Sequence, residues 1–292
     1  MKTARAIRFL GIPLLVLAVA GLTGCDDNDT VFFVDDDPPA VPTGVFTVTG
    51  DGFVEVYWNP VWQDDVAGYG VYRGSTLDGA YTRIATVEGR ASDVYVDTNV
   101  TNGFTYFYAV DAFDLEGHES DLSFEDAFDT PRPAGTNVIV QALEENAASS
   151  AIDFSRYDTS GFVRPFSDPF ADLYMHRMDG ILYARGTVVQ TVPNDLQDLG
   201  YTESMDEVSW APPEGWSESP IGVELIVGHT YVVWTWDLFF AKFRVTEILR
   251  DGFGDPTAAR IDWAYQIDRE NPELAPYFDP ARKRARVAPP AS

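Results

Sequence analysis

Apolar residues follow two different spacings along this 292-residue chain. An apolar run from Phe9 to Leu22 comes first, directly after Lys2, Arg5 and Arg8. Beyond residue 40 the apolar positions alternate. Phe53 to Trp58 sets Val54, Val56 and Trp58 on one face, Gly68 to Arg73 pairs Tyr69 with Val71, and Thr105 to Ala112 lines up Tyr106, Tyr108, Val110 and Ala112. Shorter pieces of the same kind lie at Tyr81–Ala85 and Val94–Val96. Alternation broken by turn residues about every ten positions predicts the short strands of a β-sandwich. Thr130-Pro131-Arg132-Pro133-Ala134-Gly135 then interrupts the pattern and reads as a break.

Alternation resumes at 137. Strands are predicted at 137–140, 172–176, 180–184, 231–236, 241–248 and 261–266, with a helical turn at 147–151. In Ala241 to Ile248, Phe243 and Val245 point one way, Lys242 and Arg244 the other. The fold class expected is all-β, with one sandwich over 39–133, a second β-rich domain over 137–270, and a Pro-, Ala- and Arg-rich flexible tail over 271–292. Asp237-Leu238-Phe239-Phe240 breaks the rule that hairpin turns take Gly, Asn or Asp. Leu238, Phe239 and Phe240 are therefore candidate binding residues, to be covered either by the first domain or by a partner, protein or glycan.

The basic start, apolar run and small residues at Thr23 and Gly24 make a secretory leader too short to span a bilayer stably. Leu22-Thr23-Gly24-Cys25 resembles the bacterial lipobox, which implies cleavage after residue 24 and lipidation of Cys25. Cys25 is the only cysteine, so no disulfide or thiolate metal cluster is expected. Residues 25–38, rich in Asp and ending in Pro38, read as an extended acidic tether. The resemblance implies a cell-envelope lipoprotein whose partner is the membrane, the outer one in preference to the inner.

Residues 39–133 resemble a fibronectin type III domain. The likeness rests on Val41-Pro42-Thr43-Gly44-Val45, on Trp58, on Gly68-Tyr69-Gly70-Val71-Tyr72-Arg73, and on Asp97-Thr98 and Asn102-Gly103. It continues through Tyr106 to Ala112 and Gly117-His118-Glu119-Ser120. It implies that Trp58 fills the space between two sheets and that Tyr106 bonds back to nearby backbone. More weakly, the second domain resembles HmuY-type lipoproteins, through Asp172-Leu173-Tyr174, Glu207 to Pro212, Gly228 to Val233, Ala241-Lys242-Phe243 and Ala264-Tyr265-Gln266. That resemblance implies a β-rich fold with a surface groove, which in some members holds haem.

Charge narrows the candidates further. The chain carries 46 acidic and 20 basic residues, a net of −26. Nucleic acid is excluded as a partner, because phosphate binding needs clustered Lys and Arg. The basic run Arg282-Lys283-Arg284-Ala285-Arg286 sits in the tail. No zinc-protease, nucleophile-elbow or phosphate-loop motif occurs, so no catalytic residue and no cofactor is assigned. Calcium suits the acidic loops at Asp26-Asp27-Asn28-Asp29 and Asp93–Asp97, although neither fits a defined loop pattern. His176 and His229 are the residues available for haem ligation. Asp153, Asp172, Asp206, Glu207 and Asp262 are available for a glycosidase pair. The main reading is a non-enzymatic binding or spacer module. The alternatives are an exported carbohydrate-active enzyme with an accessory fibronectin type III domain, and a haem-binding lipoprotein.

Overall fold

The alternating runs form the strands they predict. The computed structural model describes residues 37–158 and 161–276. Cys25, nearly all of the acidic tether and the basic run Arg282–Arg286 lie outside the described residues. Seven strands build the first domain: β1 (Thr43–Thr49), β2 (Val54–Asn59), β3 (Val66–Gly74), β4 (Thr82–Glu88), β5 (Val94–Asp97), β6 (Tyr106–Asp114) and β7 (Ala127–Asp129). They pair antiparallel as a β1-β2-β5 sheet facing a β4-β3-β6-β7 sheet, the fibronectin type III sandwich. Val54, Val56 and Trp58 from one sheet meet Tyr69, Val71, Tyr108, Val110 and Ala112 from the other in a single core.

The second domain begins earlier than the sequence suggests. Its first strand, β8 (Ala134–Gln141), starts inside the expected break. Gly135 is there for packing rather than flexibility: a Cβ on it would sit 2.5 Å from Trp263 Nε1. The next strands are β9 (Ala151–Ile152), β10 (Val163–Arg164), β11 (Leu173–Met178), β12 (Ile181–Gly186), β13 (Val188–Val189) and β14 (Val192–Pro193). They are followed by β15 (Asp195–Tyr201), β16 (Val223–Glu224), β17 (His229–Trp234), β18 (Phe240–Arg250) and β19 (Pro256–Tyr265). Two five-stranded sheets result, β10-β9-β11-β12-β16 and β15-β17-β18-β19-β8. Their facing sides share one core, in which Ile152, Leu173 and Met175 pack against Tyr231, Phe243, Ile261 and Trp263.

A third layer sets the position of everything below. Lys242 does not face water; it is 1% exposed. Residues 205–216 and 270–275 cover that side of the sheet, where Val208, Ala211, Phe240 and Leu274 close a second small core over Val232. Within the expected loose tail over 271–292, the described residues 271–276 pack onto the domain, with Leu274 and Ala275 buried.

Candidate functional site

Phe240 opens β18 on the covered side of its sheet. Its ring stacks on Trp234 directly across the ladder, with centroids 5.5 Å apart and 20° between planes. Trp216 lies parallel on it at 6.5 Å and 26°. Over these rings crosses the segment around Ser209, tied to the C-terminal strip by Ala211 N–H to Pro272 O (2.8 Å) and Leu274 N–H to Ser209 O (2.7 Å). Ala211 faces inward, so the extended backbone turns its neighbour Trp210 outward, and that indole is 61% exposed. Trp210, Pro212, Pro213, Trp234, Phe240 and Glu270 outline an open groove of about 440 Å³.

The three apolar residues singled out in the sequence separate here. Phe240 floors the groove. Phe239 turns to the opposite face, against Tyr265 at 5.7 Å. Leu238 holds the turn at φ 72°, donating its N–H to Thr235 O (2.9 Å) and accepting from Glu270 N–H (2.8 Å). Their neighbours belong to their own domain: Glu270 for Leu238, Tyr265 for Phe239, and Trp216 and Trp234 for Phe240. Trp210, the most exposed ring of the groove, carries no periodic pattern that would have singled it out; only its place between Ser209 and Ala211-Pro212-Pro213 hints at an extended, kinked strip.

A second concavity, of about 570 Å³, lies between the β1–β2 loop and the second domain, with Asp51, Glu203, Asp206, Arg244 and Asp262 on its walls. Two of the five nominated carboxylates meet there, and each has a structural bond. Asp262 accepts from Asn137 N–H at 2.8 Å, and Asp206 from the Ser204 hydroxyl at 3.2 Å. Glu207 accepts from Glu203 N–H at 3.1 Å. Asp153 and Asp172 are neighbours but buried, accepting from Ser155 N–H (3.1 Å) and Phe154 N–H (2.8 Å). Burial holds the Asp172 carboxyl well above the usual carboxylate range.

The structure does not bring His176 and His229 together. They stand on strands of opposite sheets, His176 Nε2 against Ile221 O at 2.7 Å and His229 Nδ1 against Asp198 at 3.0 Å. Asp97 is paired with Arg73 at 2.7 Å and bonded by the Tyr108 hydroxyl at 3.1 Å. Among the described residues, no group of three or more His, Cys, Asp and Glu side chains is placed to hold a metal ion.

Buried charges join the two sandwiches. Arg132, 1% exposed, donates to Glu273 O at 2.7 Å, Glu273 Oε1 at 3.4 Å and Thr130 O at 3.2 Å. Lys242 Nζ donates to Met205 O (2.7 Å) and Val208 O (3.1 Å). Asp129 accepts from the Thr49 hydroxyl at 2.8 Å. Desolvation pushes Asp129 up to about 7 and Lys242 down to about 7.

No family model matches the chain. An amylopullulanase from Thermoanaerobacterium saccharolyticum is 30% identical over 164 residues, 56% of this chain and 11% of that protein. One from Thermoanaerobacter thermohydrosulfuricus is 40% identical over 87 residues, 30% of this chain and 6% of that protein. The chain spans about a tenth or less of the length of the curated relatives it matches. Among solved structures, a Fn3-like protein from Clostridium thermocellum is 34% identical, covering 32% of this chain and 92% of its own, at a TM-score of 0.28.

Proposed function

We propose that this chain is a non-catalytic accessory module of extracellular carbohydrate-processing machinery, lipid-tethered through Cys25 to the cell envelope, its fibronectin type III sandwich holding the second sandwich away from the membrane. The observation that carries the reading is how the nominated carboxylates are used. Asp153 and Asp172 are buried under the surface and serve as backbone acceptors, and Glu207 closes a local turn. A glycosidase needs two carboxyls flanking a substrate in a concave site. The likeness to carbohydrate-active enzymes over a small part of their length supports an accessory place beside such an enzyme. Incubation with amylopectin and pullulan should release no reducing ends; release that disappears in Asp206→Asn or Asp262→Asn would instead make the chain a hydrolase. That second reading is favoured by one observation, the shared cleft of Asp206 and Asp262. Metabolic labelling with a fatty-acid analogue should tag the wild type and not Cys25→Ala.

A further inference from the structure

We infer that the Trp210 groove binds a neutral glucan chain, an inference that rests on the accessory reading above. Trp210 offers its ring to solvent while the backbone on either side is pinned to the C-terminal strip. Little ordering is left to be done on binding. Beneath it, Phe240 and Trp234 stack to form the floor, and Trp216 backs Phe240 from outside the groove. A pyranose ring has apolar C–H faces and an edge of hydroxyls, so it covers an indole while keeping its polar groups at the rim.

The rim chooses the chemistry. Its charged lining group is Glu270, an exposed carboxylate that only accepts hydrogen bonds and is paired at 3.6 Å with Arg269, which lies outside the lining. The indole N–H groups of Trp216 and Trp234 are buried without a hydrogen-bond partner and do not reach the groove. A peptide would bring backbone carbonyls that need donors here, whereas sugar hydroxyls supply their own. A net charge of −26 repels anionic polysaccharides, leaving a neutral chain as the fitting occupant.

Affinity electrophoresis and titration calorimetry on the whole protein test this, with pullulan, amylopectin and maltoheptaose as probes and polygalacturonate as the anionic contrast. The neutral glucans should bind and polygalacturonate should not. Trp210→Ala should weaken binding about tenfold or more, with an unchanged melting temperature. Trp210→Phe should keep most of the affinity, and Trp62→Ala, which removes an exposed ring on the first domain, should keep all of it. Equal binding by wild type and Trp210→Ala, or no binding to any neutral probe, overturns the inference and leaves the accessory reading standing. Release of reducing ends overturns the accessory reading, whatever the Trp210 variants do.

Discussion

Trp58 is fully buried and packs on Tyr69 with ring centroids 5.3 Å apart. Trp58→Ala should cost about 3–5 kcal/mol in urea unfolding, the usual loss for a large aromatic removed from a core. Both rings were legible in the sequence because the large apolar residues alternate around them, Val54-Val56-Trp58 in β2 and Tyr69-Val71 in β3, even though β3 carries register shifts against both neighbours. Tyr106 was legible too: Thr101 N–H donates to its hydroxyl at 3.0 Å. Lys242 was legible only in part. Alternation places it opposite Phe243, and a lysine on that side reads as solvated. The layer that covers it comes from residues 205–211, and nothing near Lys242 in the chain announces that cover. The pH response follows from this burial. Asp129 rises from 3.8 to about 7 on folding, so across that window the folded state keeps a proton the unfolded chain has released, and stability falls as pH rises. Lys242 drops from 10.5 to about 7; between those values the unfolded chain holds the extra proton, and stability rises with pH. The contribution of these two groups to stability should therefore be smallest near pH 7, with the raised Asp172 and Glu273 adding to the fall on the acid side. Urea midpoints measured across pH should show Asp129→Asn flattening the acid limb and Lys242→Met the alkaline one.

At the scale of elements, the hairpins separate what could be read from what could not. β11 and β12 turn on Asp179-Gly180, with φ of 51° and 75° and Met178 paired to Ile181. This is the short left-handed turn for which Asp-Gly is the strongest sequence cue. Gly180→Ala should cost about 1–2 kcal/mol, from backbone strain alone, since a Cβ there meets nothing within 4 Å; thermal unfolding of the variant measures it. The β17–β18 turn is built differently. Leu238 is left-handed without being glycine, and the turn is stabilised by the Thr235 hydroxyl, which donates to Asp237 at 2.6 Å and accepts from Phe239 N–H at 3.0 Å. Three bulky residues survive there because Phe239 and Phe240 pack on opposite faces of one sheet. The sequence marks them as unusual, and only the third layer explains them. That layer could not be read at all: residues 205–216 and 270–276 pair through an isolated bridge between Trp210 and Glu273, too short to leave a period. Pro272 and Pro276 make the strip look loose, yet Leu274 is fully buried.

For the whole molecule, the deciding contact is Arg132. Its guanidinium is buried between the sandwiches, and its shortest bond goes to the backbone oxygen of Glu273 rather than to the carboxylate. Removing one partner of a buried charge pair costs about 3–5 kcal/mol. Arg132→Ala should therefore split a single melting transition into two in calorimetry. Glu273→Gln should do much less, because the 2.7 Å bond to its backbone oxygen survives. Two transitions in the wild type would show that the sandwiches unfold independently.

The same contact also governs the order of assembly. Arg132 and Glu273 are 141 residues apart in the chain. A chain that emerges N-terminus first completes the last strand of its first sandwich at Asp129, long before the strip carrying Glu273 exists. Until then Arg132 is left in water at the edge of a finished domain. Refolding should then show a late phase, slower than the pairing of neighbouring strands, that Arg132→Ala removes. The half-built molecule waits with this polar seam open, and closes it with a strip made 141 residues later.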